Sequence, residues 1–339
     1  MNKFQFVLFA LIAILSACGV TVEEPTAQTV PDPTIIEPEP EAGIIQPKSL
    51  TQVSIVNTAG NVEDMAVQGN LIYICDKSKG LFIVDASNLD QPQPVFAPSE
   101  RFDALGIEVV GDHAFVASNT EGLRIYNVSD PANTSLLSSF EYNWDAHDVK
   151  VWGDYAFVAF NIAGVVILDI SDVSNPTLVA ALDTPANAKN IFVQSGRLYV
   201  ADGDTGLLIY DVSDVSNPTL LGNFLDGAEV RDVFVQNDIA YLASDEAGLQ
   251  IVDVSDASNP TLLGTLPVEG NATGIYANGA QVYMVNYFGG LLVADVTRPQ
   301  TPDPLFLEPT YGAAKKVLVD DEKIYVANGN TGLMIYQIR

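Results

Sequence analysis

The stretch AGLQIVDVSDASNPTLLGTL, residues 247–266, decides how the chain folds. An apolar run opens on Gly248 and continues through Val254. The cluster Asp256-Ala257-Ser258-Asn259-Pro260 breaks it, and a second run begins at Thr261. β-Branched and aliphatic residues favour strands, whereas Gly, Asn, Asp, Ser and Pro favour turns. The stretch therefore reads as strand, turn, strand. Its first half recurs as KGLFIVDAS (79–87), EGLRIYNVS (121–129), AGVVILDIS (163–171), TGLLIYDVS (205–213), GGLLVADVT (289–297) and TGLMIYQIR (331–339). The glycines Gly80, Gly122, Gly164, Gly206, Gly248, Gly290 and Gly332 stand 42 residues apart, without insertion or deletion. Seven residues before each lies an aromatic: Tyr73, Phe115, Phe157, Tyr199, Tyr241, Tyr283, Tyr325. Five residues after each comes a polar side chain: Asp85, Asn127, Asp169, Asp211, Asp253, Asp295, Gln337.

Working outward within the fifth copy, residues 232–236 form a first predicted strand. Asn237-Asp238 makes the turn, 239–243 a second strand, 248–254 a third and 261–266 a fourth. Four short strands in a unit of this length are the pattern of a propeller blade. The strands are almost continuously apolar, which suits sheets stacked with both faces buried. A transmembrane barrel needs alternating strands of about 9–11 residues, and the runs here are too short. No segment keeps a helical period. The predicted fold is an all-β, seven-bladed propeller. The seventh copy reaches Arg339 with three strands. Residues 50–56 stand in the register of a fourth, with Thr51 in the column of Thr177, Thr219 and Thr261. This N-terminal strand is expected to close the last blade and hide the open sheet edge.

The chain has 43 acidic and 15 basic side chains, a net charge of −28. Apolar residues make up 48% against 17% charged, enough to build a core, which excludes a disordered acidic chain. The negative field opposes a phosphate backbone, so no nucleic acid is expected as partner.

The repeated Gly-Leu-x-Ile-(Tyr/Val)-Asp-Val-Ser core, followed by Ser-Asn-Pro-Thr-Leu, resembles the LVIVD repeat family over residues 50–339. The resemblance implies a propeller on a bacterial or archaeal surface or exported protein. It implies no single activity and carries no catalytic residues.

The N-terminus reads MNKFQFVLFALIAILSACGV. Lys3 precedes an apolar stretch from Phe4 to Leu15 interrupted only by Gln5, the layout of a secretory signal. Leu15-Ser16-Ala17-Cys18 resembles the lipobox of bacterial lipoproteins. That resemblance implies cleavage before Cys18, lipidation of its sulfur with palmitate among the acyl chains, and membrane anchoring. Gly19 stands where an aspartate would resemble the inner-membrane retention signal, so an outer-membrane or cell-surface location is expected. The expected organisation is a signal peptide at 1–17, an acidic Pro-rich tether at 18–49 and the propeller at 50–339. Pro31, Pro33, Pro38 and Pro40 favour extended geometry in the tether, and its acids repel one another.

Residues that break the repeat point to function. Seventeen positions before each anchor stand Glu63, Leu105, His147, Lys189, Arg231, Thr273 and Lys315. They fall at the mouth of the innermost strands, and three are cations. Converging polar groups around a narrow channel suit an anion or a carboxylate. The alternative is that these cations pair with Asp148, Asp232 and Glu229 and only neutralise the mouth. Aromatics break the pattern on the same face. Phe102 and Trp144 stand in a column otherwise Gly or Ala, Phe160 and Tyr287-Phe288 replace polar loop residues, and Tyr311 precedes the seventh copy. Exposed, they would serve as interface anchors; packed over blade ends, they would fill gaps.

The chain has two histidines. His113 falls on the opposite face from His147, which disfavours a zinc site built on both. His147 with Asp145 and Asp148 could form an acid/base or metal cluster. No Gly-x-Ser-x-Gly or phosphate-cradling loop is present, and Cys75 reads as a small buried hydrophobe. Asp202 and Asp204 carry oxygens at alternate positions, as calcium prefers, although turn capping uses the same residues. No other cofactor is expected. The sequence reading is a monomeric, lipid-anchored binding or scaffolding module. Its ligand would be a small anion or an envelope or extracellular protein, met by Phe102, Trp144, His147, Lys189, Arg231, Tyr287, Phe288 and Lys315. The alternative is a metal-assisted hydrolase at the same mouth.

Overall fold

The computed structural model describes residues 49–338. The expected signal peptide, Cys18 and all of the tether but Ser49 lie outside them. The described residues form seven antiparallel four-stranded sheets, one per repeat. In blade 5 the strands are Asp232–Gln236, Ile239–Ser244, Gly248–Asp253 and Thr261–Leu266, each paired with the next. These bounds match the sequence reading to within a residue.

Blade 7 is built from both ends of the propeller. Lys316–Asp320, Lys323–Ala327 and Leu333–Ile338 take Leu50–Val56 as the outermost strand. Thr51 sits opposite Gln337, as Thr261 sits opposite Asp253 and Thr219 opposite Asp211. The bulge after Gln52 repeats that between Ile251 and Val252. The anchor glycine explains why no side chain is tolerated there. Gly332 has φ 109°, a left-handed conformation that glycine alone adopts freely. A Cβ on it would stand 2.3 Å from the Val56 carbonyl oxygen.

The first strands of neighbouring blades touch around the ring, and that of blade 7 touches that of blade 1, Val62–Gln68. The core is divided into seven clusters, each shared by two adjacent blades. The closing one joins Val62, Ile72 and Ile74 of blade 1 to Tyr325, Leu333 and Ile335 of blade 7. Each such fully buried aliphatic side chain contributes about 2 kcal/mol. A single blade leaves both faces wet; stacking in a closed ring buries them all. Second and third strands are buried on both faces, while fourth strands are mostly exposed or half-buried, as in Thr219–Phe224.

In the first six repeats the polar side chain five residues after the anchor caps its own turn. Asp169, Asp211 and Asp253 each accept the backbone N–H two residues on at 2.9 Å. These aspartates fix where the third strand ends.

Candidate functional site

The side chains of each first strand alternate, and one set lines the central channel. The seven mouth positions do converge. Glu63, Leu105, His147, Lys189, Arg231, Thr273 and Lys315 line one pocket of about 300 Å³. Lys77 and Tyr287 border it from the second-to-third strand loops, and Asp64, Asp148, Asn190 and Lys316 form its floor.

Five of the chain's 15 basic side chains, Lys77, Lys189, Arg231, Lys315 and Lys316, line this pocket. Lys189 pairs with Glu229. Arg231 binds Asp245 at 2.8 Å and reaches Glu229 at 3.5 Å. Lys315 lies 3.6 Å from Glu63 and 4.9 Å from the centre of the Tyr287 ring. The expected pairing with Glu229 is thus present, but Asp148 and Asp232 are used elsewhere: they hold Lys150 at 3.1 Å and Lys316 at 2.9 Å. Burial lowers the His147 pKa, with Asp145 opposing, so the imidazole is neutral near pH 7. Burial raises the Glu63 carboxyl against the pull of Lys315.

The floor is a belt that ties blades together. Asp64 accepts N–H groups of Met65 and, in the next blade, Ile107 at 3.1 Å. Asp148 accepts Ile191 N–H at 3.0 Å, and Asp232 accepts Ile275 N–H at 2.8 Å. In this column Asp64, Asp148 and Asp232 alternate with Gly106, Asn190 and Gly274. A Cβ on Gly106 would stand 2.6 Å from the His147 carbonyl oxygen, so the blades meet there without room for a side chain.

Two residues further along each first strand lies a column the sequence reading did not single out: Ala66, Glu108, Lys150, Phe192, Phe234, Tyr276 and Leu318. All seven line a second cavity of about 290 Å³ below the belt. Strand alternation was the available signal, because a residue two places from a channel residue also faces the channel.

Of the other sequence candidates, Phe102 is corrected. It is buried, because the loop carrying it folds over Gly80, with Arg124 4.4 Å from its ring centre. Phe160 is also fully buried, 4.9 Å from Tyr142 between ring centres. Both rings fill gaps between neighbouring elements. Trp144 (46% exposed), Phe288 (78%) and Tyr311 (88%) stay open to solvent, outside the mouth pocket. Cys75 is buried and free, and burial pushes its thiol pKa up.

Asp202 is fully buried, and its carboxylate accepts from Thr184 Oγ1 at 2.6 Å, Ala186 N–H at 3.0 Å and Thr205 Oγ1. Thr205 is a turn neighbour, whereas Thr184 and Ala186 belong to the loop before the first strand of the same blade, so the carboxylate ties two loops together; Asp204 is exposed beside it. Among the described residues no three His, Cys, Asp or Glu side chains are grouped to hold a metal ion.

The LVIVD repeat family matches residues 59–97, 103–141, 144–184, 185–226 and 227–267. No curated protein matches the chain. Among solved structures, the Pan2 WD40 domain of Neurospora crassa is similar at TM-score 0.65 and 13% identity, covering 85% of this chain and 95% of that one. The computationally designed Ika8 protein is similar at TM-score 0.64 and 10% identity, covering 82% and 83%. At these identities the likeness concerns the fold alone.

Proposed function

We propose a function from one premise: the chain belongs to the LVIVD repeat family, and its repeats build a closed propeller. The propeller is a binding module of the cell envelope, lipid-anchored through Cys18, that receives a small anionic ligand or an anionic group of a partner at the channel mouth. The observation that carries this reading is the convergence of Lys77, Lys189, Arg231, Lys315 and Lys316 on one pocket of a chain whose net charge is −28. An ammonium has three donors and a guanidinium five, so the existing pairs with Glu229, Asp245 and Glu63 leave donors for a carboxylate. The exposed Trp144 and Phe288, on the loops that carry the mouth residues His147 and Tyr287, serve as anchors for a larger partner.

Calorimetric titration with citrate at low ionic strength tests the mouth. Binding is expected, with about tenfold loss for Arg231→Ala or Lys189→Ala and weakening by salt. Absence of binding, or binding indifferent to both substitutions, would overturn the reading. Cys18→Ser is expected to move the protein from the membrane to the soluble fraction; a chain that stays membrane-bound would overturn the lipid anchor.

A further inference from the structure

Below the belt the channel changes character. Phe192, Phe234 and Tyr276, from three consecutive blades, form an arc with ring centres 5.0 and 4.7 Å apart. Glu108 and Lys150 occupy the same level on blades 2 and 3. The cavity between these walls measures about 290 Å³ with the side chains in place, the lower end of small-molecule pockets. A plug that merely filled the channel would leave no such space and would need no ionisable groups.

The two charges act on each other through space, but their side chains are not in contact. Lys150 Nζ donates to Asp148 Oδ1 and to the Val149 carbonyl, each at 3.1 Å, which leaves one of its three donors. Glu108 Oε2 accepts the Val151 N–H at 2.6 Å, and the carboxylate keeps its other oxygen. Among the described residues no ion pair joins Glu108 to Lys150. A cation acceptor and an anion donor therefore face one cavity, opposite an aromatic wall. Aromatic faces favour offset or edge contact with a further ring and attract cations.

We propose that this deep half of the channel is a binding site for a small aromatic zwitterion, the chemical class of an aromatic amino acid. The ring lies against Phe192, Phe234 and Tyr276, the ammonium meets Glu108, and the carboxylate meets Lys150. The site is separate from the anion pocket at the mouth and stands without it.

Calorimetric titration of the full-length protein tests this with L-tryptophan, tryptamine (no carboxylate) and indole-3-propionate (no ammonium). One site per chain is expected for L-tryptophan, with each truncated probe weaker by about tenfold or more. Glu108→Gln should erase the advantage over indole-3-propionate, and Lys150→Met the advantage over tryptamine. Phe234→Leu keeps the wall apolar and should cost up to about tenfold. Lys150→Met also strips Asp148 of a buried partner, so Ala66→Phe serves as a second probe. It adds a ring to the cavity from blade 1 and should block all three compounds without lowering the melting temperature. Arg231→Ala at the mouth should leave L-tryptophan binding unchanged, which separates a failure here from a failure of the mouth reading. The proposal falls if L-tryptophan gives no binding at millimolar concentration or if the three probes bind alike. It also falls if a folded Ala66→Phe variant binds as the native chain does.

Discussion

Asp211, in the turn after the third strand of blade 4, and Asp64, in the first strand of blade 1, are the same side chain at two radii. Ser213 donates its hydroxyl and its backbone N–H to Asp211 at 2.6 and 2.9 Å, and these bonds hold its carboxyl below the usual range. Asp64 is buried in the channel belt, and burial pushes its carboxyl up to about 6 despite Lys316 and Lys150 nearby. The outer aspartate recurs in five of the seven repeats because its work is local. The inner one alternates with glycine and asparagine because its surroundings are assembled from other blades. Invariance marks the building of a blade; variation marks where blades meet.

The sharpest break in that comparison comes from the one blade that is not local. Deleting residues 50–56 removes the outer strand of blade 7 and exposes the edge of Leu333–Ile338. Loss of the single cooperative melting transition is expected, read by circular dichroism. An unchanged transition would mean that the ring does not depend on this closure.

A smaller effect separates the two aspartate classes directly. Asp148→Ala leaves Lys150 and the Ile191 N–H without their partner in the belt. A cost of about 3 kcal/mol is expected from chemical denaturation. Asp211→Ala disturbs one exposed turn and should lower the melting temperature by only about one or two degrees. Equal losses would erase the distinction.

The pH dependence is subtler. A folded carboxyl raised from 3.8 to about 6 keeps a proton that the unfolded chain releases. Its contribution is complete below about pH 4 and is lost as the pH rises to about 6, worth about 3 kcal/mol. Burial raises Asp232 and Glu108 in the same sense. The turn aspartates act oppositely: their stabilisation is present above the usual carboxylate range and is lost as pH falls below it. Melting temperature should therefore fall between about pH 4 and 6, and Asp64→Asn should flatten that fall. A slope unchanged by Asp64→Asn would show that the belt does not carry it.

The strands and the number of blades were legible because strand, turn and anchor chemistry repeat every 42 residues. The mouth was legible for a related reason: in a closed ring of seven, positions one period apart must converge. Phe102 and Phe160 were harder to place, since a loop residue that breaks a repeat looks the same whether a neighbouring element covers it or solvent does. The channel column from Ala66 to Leu318 was visible as seven dissimilar residues, yet nothing local marks that three of them pack ring against ring, tilted, across blades.

The sequence by itself determined the blade, its turns, the number of copies and the register of the closing strand, because those depend on backbone preferences and apolar periodicity within a few dozen residues. Only the tertiary structure decided which charges pair, which aromatics are covered and where the channel stays open. Those outcomes depend on distances between side chains 42 or 84 residues apart, as with Lys316 and Asp232, and such distances exist only once the ring is closed.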